Sequence, residues 1–175
     1  MEIKCIESEQ IFFAKMNRYS FKLSDKKWQL DKENCVYPHK VVDIMPTKMK
    51  LSYLKTLAYY ASEYSSFYIQ NINTLFYKWF GAITIDTIDD KAIYQLNVYL
   101  GSARNYKLNI VKAFITKWKK LNYPRVEATA LRMLEKIKII PNQTGDAVKR
   151  RDPNKGPLTE TEFNNIINAV GKFYH

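Results

Sequence analysis

The chain has 175 residues, 46% hydrophobic and 26% charged, with 28 Lys and Arg against 17 Asp and Glu and a formal net charge of +11. That length holds one domain of ordinary size with a small appendage, and enough apolar residues for a real core. No apolar run approaches the ~20 residues of a membrane span, and the N-terminus lacks the basic-then-apolar profile of a signal peptide, so a cytoplasmic protein with no membrane partner is expected.

Residues 1–46 hold eight Lys or Arg and seven Asp or Glu, whereas residues 47–175 hold twenty against ten, so the positive charge belongs to the second part. In the first part, the alternating runs Tyr19-Ser20-Phe21-Lys22-Leu23 and Trp28-Gln29-Leu30 flank the polar Ser24-Asp25-Lys26-Lys27. This pattern predicts a weak β-hairpin, which must lean on other elements because two strands alone are marginally stable. Pro46 closes the segment, and His39, beside Pro38, reads as an incidental loop residue. Cys5 and Cys35 read as free thiols in a chain without an export signal, although an oxidising compartment would allow them to pair. Zinc needs three or four closely spaced ligands, and only His39 and His175 are available to join the cysteines, so no metal site and no cofactor is expected.

From residue 47 the period becomes helical. Leu54, Leu57, Ala58 and Ala61 predict one helix; after the N-cap candidates Ser65 and Ser66, Ile72, Leu75, Phe76 and Trp79 predict a second, which runs to Gly81. Thr87 with Asp90 resembles a capping box that opens a third, carrying Ala92, Leu96, Tyr99 and Leu100 inward and ending at Gly101.

The fourth helix is predicted over 104–122, with Val111, Phe114, Trp118 and Leu121 on one stripe and Lys112, Thr116, Lys119 and Lys120 facing the other way. Around it, positions 101–126 carry seven bases, Arg104, Lys107, Lys112, Lys117, Lys119, Lys120 and Arg125, and no acid. A polyanion is the natural partner of such a stretch, because each neutralised phosphate releases condensed counterions. Lysines interleaved with aromatics suggest phosphate contacts beside base stacking. Phe114 and Trp118 nevertheless fall on the inward stripe, so only the outward residues are binding candidates, with Asn109 and Asn122 as further polar groups.

A fifth helix follows Pro124, with Ala130, Leu131, Leu134 and Ile137 inward and Arg132 and Lys136 four apart on another face, until Pro141 stops it. Residues 142–157 form a basic connector in which Lys149, Arg150, Arg151 and Lys155 can track a nucleic-acid backbone, with Pro153, Gly156 and Pro157 opposing regular structure. In Leu158-Thr159-Glu160-Thr161-Glu162-Phe163, Thr159 and Glu162 are spaced as a capping box and Leu158 and Phe163 as a hydrophobic staple. The helix this opens has an apolar stripe of Phe163, Ile166, Ile167 and Val170 that one helix cannot bury alone, so the region reads as a domain junction cut short.

Catalytic signatures are missing: there is no HExxH, P-loop or GxSxG motif, and the paired Asp89 and Asp90 suit a helix N-terminus. None of the thirteen tyrosines has a basic, organised neighbourhood in the sequence, so all are read as packing residues.

The order of parts is nevertheless distinctive: a helix ending in YKWFG, then TIDTIDDKAIYQLNVYLG, NYKLNIVKAFITKWKKLNYP, a further amphipathic helix and VKRRDPNKGPLTETEF. Over roughly residues 47–170 this order resembles the N-terminal half of tyrosine recombinases of the phage integrase family, whose catalytic domain often opens on an LTxEE-like helix. The resemblance implies a mostly α fold: a SAM-like core-binding bundle of four or five helices over 47–141, a linker over 142–157 and the first catalytic-domain helix over 158–175, while the appendage over 1–46, with its pattern-predicted β-hairpin, has no counterpart in it. It also implies double-stranded DNA as partner, a tetramer of recombinase protomers on DNA, a bacterial or phage-encoded source, and for this stretch alone a monomer or weak dimer. The family's catalytic arginines, lysine, histidines and tyrosine find no match here; Val42 stands where an HxxR motif beginning at His39 would need its arginine. A helical protein-interaction module and a stand-alone DNA-binding regulator are the competing readings. The regulator calls for a helix-turn-helix with a glycine-containing turn, and Asn122-Tyr123-Pro124 has none.

Overall fold

The computed structural model describes residues 10–15, 18–141 and 160–171, the side chains of the last helix as far as residue 167. The chain divides after Ile140 into two units.

In the first unit, β1 (Ile11–Phe13) pairs antiparallel with β2 (Ser20–Lys22), Phe12 opposite Phe21, and β3 (Trp28–Gln29) pairs antiparallel with β4 (Cys35–Val36), Trp28 opposite Val36. The two runs expected to form one hairpin are therefore strands of two different sheets. Their alternation marks inward aromatics: Phe21 and Trp28 stack with ring centroids 4.2 Å apart, which joins the sheets through side chains. Between them, Asp25 folds the chain back, its carboxylate accepting from the Lys22 N–H at 2.7 Å.

His39 sits in helix α1 (Pro38–Ile44), not in a loop. Pro38 occupies the first turn, where its preset φ favours a helix and its missing N–H costs nothing. The His39 ring Nδ1 lies 2.6 Å from the Lys26 carbonyl oxygen.

Helices α2 (Thr47–Glu63) and α3 (Ser66–Ala82) follow as expected, and Ser65 caps α3 by accepting from the Tyr68 N–H. Helix α4 (Asp90–Arg104) differs from expectation in two places. Its N-cap is Asp89, which accepts from the Ala92 N–H at 2.8 Å, while the Thr87 hydroxyl instead accepts from Arg125 at 3.2 Å. Thr87 is drawn off because Ile88 is bridged to Val126, bringing Arg125 alongside. Tyr99 is exposed because Ala92, Ile93, Leu96 and Leu100 already fill the buried stripe. Gly101 ends the regular part of α4 with φ 62° and ψ 178°, a backbone open to glycine and little else.

A 3-10 turn over Asn105–Lys107 leads into α5 (Leu108–Lys120), and a tight turn with Asn122 and Arg125 at positive φ precedes α6 (Ala128–Lys136). Ala130 and Leu134 of α6 are buried, while Leu131 and Ile137 are only partly covered. Strands and helices share one core, centred on Tyr53, Phe76, Phe114 and Trp118 and continuous with Phe21 and Trp28. Besides the His39–Lys26 contact, hydrogen bonds tie the strand region to the helices from the Lys15 N–H to the Ala61 carbonyl, from Gln70 Nε2 to the Cys35 carbonyl, from Asn73 Nδ2 to the Tyr37 carbonyl, and from the Ser66 hydroxyl to the Asp31 carboxylate.

The second unit contains α7 (Glu160–Gly171), on which Phe163, Ile166 and Ile167 are exposed. The cap and staple partners Leu158 and Thr159, Cys5, and all four basic connector residues lie outside the described residues. The class is mostly α, with two small antiparallel sheets ahead of six helices among the described residues of the first unit. No helix among the described residues is long and apolar enough to cross a membrane.

Candidate nucleic-acid interface

Helix α5 is divided lengthwise by burial. Leu108, Val111, Phe114, Ile115 and Trp118 are all fully buried, so its large aromatics are consumed by the core. Lys112, Thr116 and Lys119 are half-covered on the opposite arc and Lys120 is exposed, the arrangement expected of a helix that buries its apolar stripe and keeps long basic side chains with their heads in water.

The seven bases of 101–126 separate by what they touch. Lys117 places its Nζ 3.5 Å from the centre of the Tyr59 ring, a cation–π contact that holds it against α2. Arg125 donates to Thr87 and lies 3.9 Å from the Asp86 carboxylate, so it fastens the α5–α6 turn to the segment before α4. These two are structural. Arg104, Lys107, Lys112, Lys119 and Lys120 have no ion-pair or hydrogen-bonding side-chain partner among the described residues.

The expected site residues thus fall into four groups. Lys112, Thr116, Lys119 and Lys120 share the outer arc of α5. Arg104 and Lys107 are brought together at the α4–α5 junction, where they line a cleft with Lys78 of α3. Arg132 and Lys136 are exposed one turn apart on α6. Lys149, Arg150, Arg151 and Lys155 lie outside the described residues. Lys78 is the member that periodicity missed: α3 draws notice for its apolar stripe, and nothing local in the sequence connects position 78 with 104 or 107.

The tyrosines whose phenols are perturbed are all moved away from the ionised form. Burial drives Tyr53 and Tyr68 upward, and burial followed by the neighbouring Tyr68, Tyr64 and Tyr59 does the same to Tyr60. Tyr53 instead donates its hydroxyl to Asn73 Oδ1 at 2.9 Å inside the core. Tyr53 and Tyr60 are buried and Tyr68 half-buried, so these are packing groups, whereas Tyr64, Tyr77, Tyr94 and Tyr99 are exposed, against the packing reading given to every tyrosine. No group of three or more potential metal ligands gathers among the described residues.

Comparison with protein-family models, curated proteins and solved structures found no match.

Proposed function

We propose that this chain grips duplex DNA, as the DNA-binding N-terminal region of a site-specific tyrosine recombinase in which a separate C-terminal domain cleaves and rejoins the strands. The observation that carries the DNA-binding reading is the division of α5: its aromatics lie in the core while Lys112, Lys119 and Lys120 remain outward and unpaired among the described residues, Lys117 alone of its lysines being held by Tyr59. Such a face offers point charges for phosphates and no exposed rings for bases, which favours a duplex backbone over stacked single strands. The recombinase part rests on the order of sequence motifs over 47–170 and carries its consequences with it: other protomers as partners in a tetramer, and a cytoplasmic, nucleoid-bound setting in a bacterium or phage host.

Fluorescence anisotropy of a labelled duplex titrated with residues 1–175 at several salt concentrations tests the binding. With ~5 phosphate contacts the log–log slope should lie near −4 to −5. The exposed Tyr94, Val98 and Tyr99 on α4 favour the alternative of a protein-interaction module. That alternative predicts negligible duplex affinity at moderate salt. For the recombinase assignment, the decisive observation is the reading frame downstream of residue 175: arginine, HxxR and tyrosine signatures there support it, and an immediate stop codon seriously weakens it.

A further inference from the structure

Three helices meet at a small cleft whose floor includes the apolar Leu75, Leu100 and Ile110 and whose other lining residues are basic, polar or aromatic. Asn71 and Lys78 come from α3, Tyr99 and Arg104 from α4, and Lys107 from the 3-10 turn that starts α5. Three of its residues are bases, none is acidic, and none of the three bases has an ion-pair partner among the described residues. Gathering unpaired cations around one concavity raises their mutual repulsion, which an anion seated between them relieves. The cleft's volume, about 50 Å³, is what limits the ligand. A single water needs about 10–15 Å³ of such space, so the cleft has room for a few water-sized groups, the scale of one tetrahedral oxyanion.

The backbone explains how the bases converge. Gly101, at φ 62° and ψ 178°, breaks α4 so that Arg104 does not continue along the helix axis but precedes a tight 3-10 turn carrying Lys107. The turn is pinned from inside: Asn105 is buried, donates through Nδ2 to Asn97 Oδ1 at 2.8 Å and accepts the Ile140 N–H on Oδ1 at 2.7 Å. Arg104 and Lys107 therefore flank a fixed residue, and the backbone from which their side chains extend is set before any ligand arrives.

We propose that this cleft seats a single phosphate group, and, resting on the duplex-binding reading above, that in function the group is one phosphodiester of the DNA backbone. Arg104 supplies planar donors to two oxygens, with Lys107 and Lys78 as point charges on the others. One seat shared by three bases differs measurably from three separate contacts. Counterion release counts neutralised phosphates, so losing one seat lowers the magnitude of the salt slope by about 0.9, and losing three contacts lowers it by about 2.7.

The experiment has two arms on residues 1–175. In the first, inorganic phosphate is titrated against labelled protein and amide shifts are followed by NMR, with chloride at matched ionic strength as control. Shifts that saturate around Lys78, Arg104 and Lys107, and that vanish in the double variant Arg104→Gln with Lys107→Gln, are expected. A phosphate response no larger or more localised than that of chloride overturns the seat. In the second, duplex binding of the double variant should have its salt slope reduced by about 0.9, with no further reduction when Lys78→Gln is added. A cumulative reduction near 2.7 overturns the shared seat in favour of independent contacts. Melting temperatures of the variants, expected within a few degrees of the parent because the side chains are at the surface, separate lost binding from lost folding. If phosphate is bound at the cleft but the parent has no duplex affinity, the seat stands for the free anion and the DNA reading falls.

Discussion

Trp118 shows how one residue type carries two opposite readings until its surroundings are known. Among lysines it suggests a base-stacking platform; in the fold it is fully buried and packs edge-on against Phe114, ring centroids 5.8 Å apart. Trp118→Ala should cost roughly 3 to 5 kcal/mol of stability, and DNA affinity should fall only through unfolding. A variant with an unchanged melting curve and lost affinity would contradict this. Asp31 gives a second prediction at this scale. Its carboxylate accepts from the Ser66 hydroxyl, from Asn34 through side chain and backbone, and from the Glu33 N–H, which together hold it well below the usual carboxylate range. A depressed folded-state pKa means stability that is present above the unfolded value of ~3.9 and lost as pH falls from there toward the folded value. The parent should therefore melt above Asp31→Asn near neutrality, the gap narrowing below about pH 4. A gap that stays constant from neutral to strongly acid pH would exclude Asp31 as the source.

At the scale of elements, α5 and the break in α4 carry the argument. Lys112 and Lys119 lie on the outer arc of α5, so replacing both by Ala should weaken duplex binding by a similar factor on every sequence and flatten the salt slope. An unchanged slope takes α5 out of the interface, and loss of folding means that its outer face is misassigned. Gly101 makes a different kind of prediction. A Cβ added there meets nothing within 4 Å, so any cost of Gly101→Ala arises from the backbone conformation itself. With φ at 62° and ψ at 178°, that cost should be about 1 to 3 kcal/mol by denaturant unfolding. An unaltered midpoint would mean that the residue has relaxed into the ordinary helical region, and with it the turn that carries Lys107.

For the first unit as a molecule, the shared core predicts one transition. Phe21 stacks on Trp28, both belong to the cluster that contains Phe76 and Trp118, and Asp31 and Cys35 bond to Ser66 and Gln70. Pairs of strands only two or three residues long cannot stand alone, so they should melt with the helices. Heating should give coincident loss of tryptophan fluorescence and of helical circular dichroism, and Trp28→Ala should lower both midpoints together. An early transition in fluorescence alone would mean that the strand region unfolds independently.

Much of this was written in local pattern. Most of the buried stripes of α2, α3 and α5, the Ser65 cap and the glycine stop at Gly101 follow from periodicity and from stereochemistry, which act over three or four residues and need no tertiary partner; Leu54 is only partly covered, and Leu121 falls past the end of α5. The division of α5 into core aromatics and outward lysines was legible for the same reason. Contacts between residues distant in sequence were not. The pairing of β2 with β1 and of β3 with β4, the loss of Thr87 to Arg125 and the engagement of Lys117 by Tyr59 are each chosen among alternatives that local propensity leaves equal. The meeting of Lys78 with Arg104 and Lys107 belongs to the same class. One-dimensional pattern determines which face of an element must be buried, because that is a property of the element alone. Which charged groups end up sharing a surface depends on how the buried faces dock, and only the folded chain decides that.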